Sequence, residues 1–368
     1  MRSEVPIRSV RAEAYRVPTD RPEADGTISW NSTTIVLVEV EGGGRVGLGY
    51  TYASACIVGL IRDKLAAVIA GQDALAPASC FGAMQRAVRN LGREGLAATA
   101  ISAVDTALHD LKARLFDQPL VVLLGARRTS IPIYGSGGFT TYSDAELEQQ
   151  LGGWVAKDGC AFVKMKIGSE PGRDPHRVAV AKRAIGDALL FVDANGACTP
   201  RQAIRLANIF AERDVRWFEE PVSSDDLPGL VMVRQHAPCG MDVAAGEYAY
   251  TVDYVRTMLA SGAVDVQQAD ATRCGGFTGF LEIAALCNAF HVDLSAHCAP
   301  ALHMAVACAA PRIRHLEWFH DHVRIEHMLF DGAPQPRDGR ISPDLTVPGN
   351  GLIFKRADAA AYAVSEAA

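Results

Sequence analysis

Between Ile131 and Phe319 the chain repeats one pattern eight times: a short strand-like run, then a helical stretch with Asp, Ser or Thr near its start. The runs are IPIYGS, FVKMKIG, LLFVDAN, VRWFEE, DVAAGE, VDVQQAD, VDLSAH and HLEWF. Strands alternating with helices predict a parallel sheet, because parallel neighbours must be joined by a crossover. Eight units are the number that closes a barrel, so we expect an α/β fold of the (β/α)7-8 TIM type over residues 126–330. The last helix between strands, near residues 301–310, should be short.

Residues 1–125 read differently, as α+β. Thr33 to Val40 has strand composition, and Gly42-Gly43-Gly44 turns into a second strand, Arg45 to Tyr52. No helix start follows those glycines, so they mark a hairpin and not a phosphate loop. Helical spacing follows over residues 58–70 and 95–115, and residues 120–125 close the region. The tail, residues 331–368, is rich in Pro and Gly and is expected to pack back on this first region. The net charge of −6, with no run of Lys and Arg, speaks against a nucleic-acid partner. No apolar run approaches the ~20 residues of a membrane span, and residues 1–23 lack a signal-type apolar stretch, so a cytoplasmic location is expected. The nine scattered cysteines form no Cys-x-x-Cys pair and are read as reduced structural residues, Cys298 among them.

From the second strand to the eighth, each run carries an ionisable residue at its end: Lys166, Asp193, Glu219, Glu247, Asp270, His297 and Glu317. They are 27, 26, 28, 23, 27 and 20 residues apart. A βα unit has about that length, so each step moves one strand round while staying at one end of the barrel. A lone strand-end carboxylate is ordinarily a helix cap or an ion-pair partner. Seven at unit spacing should instead converge at the C-terminal face, where their charges require a neutralising partner.

Asp193, Glu219 and Glu247, on three consecutive strands, suit a hard cation such as Mg²⁺. Zinc is disfavoured, since no His or Cys stands at a matching position. Glu219 is followed by Glu220, and strand alternation lets only one of them point inward; the spacing leaves open which. Lys164 and Lys166 share one face of their strand, with Val163, Met165 and Ile167 turned to the helices. A lysine beside Mg²⁺ and a second lysine should have its pKa lowered, as a base requires. Asp270 and His297, on adjacent strands, form a possible dyad in which the carboxylate fixes the imidazole tautomer.

These residues, in this order, resemble the enolase superfamily, and within it the mandelate racemase group. The likeness runs through the Lys-x-Lys strand, FVDAN, WFEEP, AAGE, QQADATRCGG, LSAH and HLEW. The resemblance implies a capping domain formed by the first region and the tail. It implies Mg²⁺ on Asp193, Glu219 (the first of the Glu pair) and Glu247, with Lys166 and the His297–Asp270 dyad as acid/base groups on opposite faces of the substrate. Lys164 and Glu317 would hold the substrate carboxylate, with Asn195 a further contact. Removal of a proton beside a carboxylate places a second negative charge on the acid, which the cation, Lys164 and a protonated Glu317 would offset. A symmetric homo-oligomer is also implied.

The polar loop from Thr19 to Ser32 suits a polyhydroxylated acid, whose buried hydroxyls need partners. Together with the frequency of acid-sugar dehydratases in this family, it leads us to expect dehydration of a sugar acid. The alternatives are a racemase or epimerase, a lactone cycloisomerase, and a barrel that binds carboxylate and metal without turnover. Arg273, Trp30 and Tyr50 are additional candidate substrate contacts, although Arg273 would equally brace its loop and the aromatic residues would equally be packing.

Overall fold

The computed structural model describes residues 4–364. Three strands, β1 (Ile7–Ala24), β2 (Ser29–Gly42) and β3 (Arg45–Tyr52), form an antiparallel sheet in sequence order. Eight parallel strands follow: β4 (Ile131–Gly137), β5 (Phe162–Lys166), β6 (Leu189–Asp193), β7 (Val215–Glu219), β8 (Asp242–Ala245), β9 (Val266–Ala269), β10 (Asp293–Ala296) and β11 (Ile313–Phe319). Each pairs with its neighbour in sequence, and β11 pairs with β4, so the sheet closes on itself. The expected barrel with an α+β cap is the observed architecture.

Helix starts follow local chemistry. Ser143 and Glu146 cap helix Asp144–Asp158 reciprocally, and Thr199 and Gln202 do the same for Pro200–Ala211. Asp226 and Thr251 cap the next two helices. The helix before β11, Pro300–Ala309, is indeed short.

Alternation along the barrel strands sorts side chains cleanly. Val163, Met165, Leu190, Val192 and Phe218 point out into the large core between sheet and helices. Tyr134, Phe191, Trp217, Ala244 and Val266 fill the barrel interior. Asp193 and Glu219 stand two residues beyond Phe191 and Trp217 and therefore share their inward face, one layer nearer the C-terminal mouth.

Strand β1 was not anticipated from the sequence. Its Arg8, Arg11, Glu13 and Arg16 are exposed and its Ile7, Ala14, Tyr15 and Val17 buried, so the charges that read as interruptions are the exposed positions of an edge strand and do not keep to one face. The expected first strand starts earlier, at Ser29, because its N-terminal end pairs with the far end of β1. The helix expected over 58–70 is continuous from Ile57 to Ile69 but carries a π-helical turn at Ile61–Leu65, and a further helix, Pro77–Ala87, precedes the long one.

The long helix Leu96–Leu115 lies on β3 at unusually close range. Gly47 and Gly49 face it, and a Cβ on either would come within 2.4 Å of the carbonyl oxygens of Ala107 and Ala103. The same helix reaches the barrel: Ser102 Oγ accepts from Gly275 N (2.8 Å), and Asp105 accepts from Thr278 N and Oγ1. These bonds pin the loop after β9, which carries Asp270 and Arg273. At the other edge of the cap, Thr140 donates to the carbonyl of Ala24 through its amide and to that of Asp25 through its hydroxyl. Gly26 comes so close to the ends of β5 and β6 that a Cβ would sit 2.6 Å from the oxygens of Ile167 and Ala194. The cap loop thus lies against the barrel mouth.

The tail touches both layers. Arg340–Ile341 adds antiparallel to β4, Arg356 pairs with Glu13 (2.7 Å) and Glu39, and Val364 N donates to Ala14 O. Among the described residues no helix is long and apolar enough to cross a membrane.

Because Gly49 leaves no room for a methyl group, Gly49→Ala should destabilise the protein by about 1–3 kcal/mol through overpacking. Urea denaturation would register this as a lower midpoint at unchanged slope; an unchanged midpoint would contradict the close helix–sheet contact.

Candidate active site

Register brings the strand-end charges together. Lys166 is the lateral partner of Asp193, and Asp193 that of Glu219, so three charged residues stand side by side on β5, β6 and β7. Glu247 lies two residues past the end of β8. One carboxylate oxygen from each of Asp193, Glu219 and Glu247 falls within 4.8 Å of the others, and all three residues are buried. Glu219, not Glu220, is the member of its pair in this cluster. Glu220 turns aside at φ +36°, and its buried Oε1 has no hydrogen-bond partner.

Lys164 Nζ contacts Glu219 and lies 2.8 Å from Glu317 Oε1 and 3.4 Å from Asp193. Lys166 Nζ is 2.5 Å from Asp193 Oδ2. Trp217 Nε1 donates to the second oxygen of Glu219 at 2.9 Å. On the other side, His297 Nδ1 is 2.9 Å from Asp270 Oδ2, which leaves Nε2 facing the cavity, 3.3 Å from Glu247 Oε2. That oxygen finds no donor in line and is among the buried unpartnered atoms.

The electrostatics record an excess of negative charge. Burial, with Asp193 and Glu317 nearby, pushes Glu219 up to about 8 despite Lys164. Burial and the neighbouring Glu247, Asp193 and Glu219 raise Glu220 well above the carboxylate range. A hard cation among these oxygens would relieve the crowding, and the three-carboxylate donor set suits one.

Among these side chains alone, burial pulls the Lys166 pKa down, but Asp193, with Glu247 and Glu219, outweighs burial and Lys164 and raises it; the lowering expected beside Mg²⁺ belongs to the cation-bound site. One expectation is corrected here: Glu317 lacks the raised pKa that a hydrogen-bond donor would need. Burial pushes it up, yet Lys164 and His297 hold it well below the ordinary range. It acts as an acceptor, taking bonds from Ser136 Oγ (2.6 Å) and Cys298 N (3.0 Å).

Lys166, Glu247, His297 and Glu317 open on one cavity of about 210 Å³. Asn195 and Arg273 line it as the sequence led us to expect, and so does Trp30, which packs edge-on against Phe139 and donates to Glu23. Arg273 braces its loop, its guanidinium donating to the Glu247 carbonyl at 3.0 Å, and it also lines the cavity. Tyr50 is a correction. It is fully buried away from the cavity, stacks on Phe330, and donates to Glu326 at 2.6 Å. Its position on β3 faces the core between cap and tail.

The polar loop Thr19–Ser32 supplies Asp25 and Ser32 to the cavity, whereas Thr33, Tyr248, Phe319, His322 and Cys298 were missed as cavity residues. His322 stacks on Tyr52 and accepts from Ala299 N, and its position three residues past the end of β11 was the available signal. Cys298 follows His297 directly. It was read as structural, yet its Sγ lies 3.4 Å from His297 Nε2.

Comparison with known proteins fits this geometry. Residues 9–125 match the family model described as mandelate racemase / muconate lactonizing enzyme, N-terminal domain, and residues 146–358 match that described as enolase C-terminal domain-like. The chain belongs to the mandelate racemase/muconate lactonizing enzyme family of the enolase superfamily. A solved structure of a family-like protein from Rubrobacter xylanophilus is 49% identical, with TM-score 0.95, covering 97% of this chain and 99% of that one. The 3,6-anhydro-alpha-L-galactonate cycloisomerase of Streptomyces coelicolor is 31% identical over 95% of this chain and 97% of its own length. The L-talarate/galactarate dehydratase of Salmonella typhimurium is 30% identical over 83% of this chain and 77% of its own. A mutant L-talarate/galactarate dehydratase, solved with Mg and L-glucarate, superposes with TM-score 0.90 at 25% identity, covering 99% of this chain and 93% of that one. Relatives in this family are thus sugar-acid dehydratases and cycloisomerases.

Removing the Tyr50 hydroxyl would leave buried Glu326 without that donor. Tyr50→Phe should therefore cost about 1–3 kcal/mol of stability while leaving ligand affinity unchanged, as thermal unfolding and ligand titration on the same sample would reveal.

Proposed function

We propose that this chain is a Mg²⁺-dependent sugar-acid dehydratase, converting an aldonate or aldarate to a 2-keto-3-deoxy acid. Asp193, Glu219 and Glu247 would hold the ion, which supplies positive charge where the substrate carboxylate gains a second negative charge. One observation carries the reading. Lys166, at the end of β5, and His297, after β10, flank the triad of β6, β7 and β8 from its two sides and open on the same cavity.

The residues divide the work by position. Lys166 Nζ takes the proton from Cα once it has shed its own proton and its bond to Asp193. The Cα–H electron pair passes into the carboxylate, giving an enediolate, and then forms the double bond to Cβ as the Cβ–O bond breaks. His297 Nε2 gives its proton to the departing hydroxyl, which leaves as water, and the resulting enol becomes the keto acid. Asp270 accepts the Nδ1 hydrogen and so keeps Nε2 turned to the substrate. Lys164 supplies fixed positive charge beside the carboxylate oxygens, with Glu317 anchoring Lys164 instead of donating a hydrogen bond itself. Asp25, Ser32, Thr33 and Asn195 line the cavity with hydrogen-bonding groups suited to hydroxyls, and Asn195 Oδ1 is buried without a partner.

The name of the Streptomyces relative supports a second reading, a cycloisomerase. There the same pair would open or close a ring C–O bond, and no water would be released.

Lys166→Ala and His297→Asn should each lower exchange of the substrate Cα hydrogen or product formation by about 10²–10⁴-fold, monitored by NMR in D₂O with Mg²⁺. Full activity in either variant would remove that residue from the acid/base pair. Screening mono- and diacid sugars should yield a 2-keto acid that forms with Mg²⁺ and stops on chelation. Consumption of a lactone or anhydro acid without water loss would establish the cycloisomerase instead.

A further inference from the structure

A second set of metal-ligating atoms stands on the other wall of the cavity. His297 Nε2, Cys298 Sγ and Glu317 Oε2 are buried and mutually close: Sγ lies 3.4 Å from Nε2 and 3.4 Å from Oε2, and Nε2 lies 3.6 Å from Oε2. Donors in a tetrahedral zinc site sit about 2.0–2.3 Å from the ion and therefore about 3.3–3.8 Å from one another. The observed triangle has that size.

The surroundings complete the resemblance to a soft-metal site. His297 is already oriented through Nδ1 by Asp270, the carboxylate–histidine arrangement that supports zinc ligands. Glu317 divides its oxygens, Oε1 serving Ser136 and Lys164 while Oε2 faces the thiol and imidazole. Glu247 Oε2, buried and unpartnered, points at the same imidazole nitrogen from 3.3 Å. The backbone turns Cys298 toward the cavity by placing two successive non-glycine residues, Cys298 (φ +53°) and Ala299 (φ +40°), in the left-handed region.

From this we infer that His297, Cys298 and Glu317 form a second, soft-cation site that takes Zn²⁺ from the cavity and thereby blocks His297. Sulfur and nitrogen donors favour zinc over magnesium, whereas the all-oxygen triad across the cavity suits a hard cation that saturating Mg²⁺ would fill. Binding removes the thiol proton, since the thiolate is the ligand, and occupies the nitrogen that would otherwise carry a proton. The consequence for turnover rests on the acid/base role proposed above for His297; the metal site itself does not.

Cobalt tests the site without reference to activity, because Co²⁺ bound to a thiolate gives a near-ultraviolet charge-transfer band. Titrated into the full chain in saturating Mg²⁺, Co²⁺ should produce that band, and excess Zn²⁺ should remove it. Cys298→Ala should abolish the band, while a Cys56→Ser/Cys239→Ser variant, lacking the two exposed thiols, should keep it. Cys298→Ser, checked for folding by circular dichroism, serves if the alanine variant is unstable. Once an activity is in hand, the zinc concentration for half-inhibition should be at least about tenfold higher in Cys298→Ala than in the wild-type chain, each measured against its own zinc-free rate, since losing a ligand costs more than losing an outer partner. Absence of the band in the wild-type chain, or its survival in Cys298→Ala, overturns the site. A band without zinc inhibition would leave the site standing and remove His297 from the reaction.

Discussion

The buried contact between lysine ammonium groups and strand-end carboxylates is the constraint around which the mouth of this barrel is built. Lys164 and Lys166 enter a space shared by Asp193, Glu219, Glu247 and Glu317, all shielded from water. Isolated charges in such a place would be prohibitive to bury, so the two signs must arrive together and in register. The parallel ladder supplies the register: Lys166, Asp193 and Glu219 are successive lateral partners. The aromatic layer below them, Phe191 and Trp217, excludes water from one side and, through Trp217 Nε1, orients Glu219. Crowding of acids is what makes the mouth receptive to a cation.

The cap completes the site in two ways. It contributes Asp25, Trp30, Ser32 and Thr33 directly to the cavity. It also holds the loop of Asp270 and Arg273 in place through Ser102 and Asp105 on the long helix, far from the substrate. The aromatic cluster of Phe139, Tyr142, Phe319 and Trp30 packs cap against barrel beside Cys298, so the cavity has one polar side and one apolar side.

Much of this was legible in the sequence, because one period governed it. The seven strand-end residues could be placed in one mouth from their spacing alone, since each βα unit returns the chain to the same level. Asn195 and Arg273 followed, lying within three residues of Asp193 and Asp270. The residues that escaped notice are of another kind. Thr33 meets the barrel only through tertiary packing, and His322 and Cys298 sit just beyond the strand ends, where loop conformation decides direction. The left-handed backbone at Cys298 has no sequence marker, since the position is not glycine. Tyr50 was misplaced because alternation on β3 cannot say which of its two faces looks toward the mouth.

The tail has a consequence for how the chain assembles. Barrel closure joins β4 to β11, and the edge of the cap at Ala14 receives Val364, so residues from nearly opposite ends of the polypeptide must meet. Contacts of such long sequence separation are slow to form. During synthesis the edge strand would await this cover until the segment around Val364 had left the ribosome. A chain stopped short of Arg356 would present Glu13 and Glu39 without their shared counter-charge, on an open sheet margin of the sort that invites pairing with other chains.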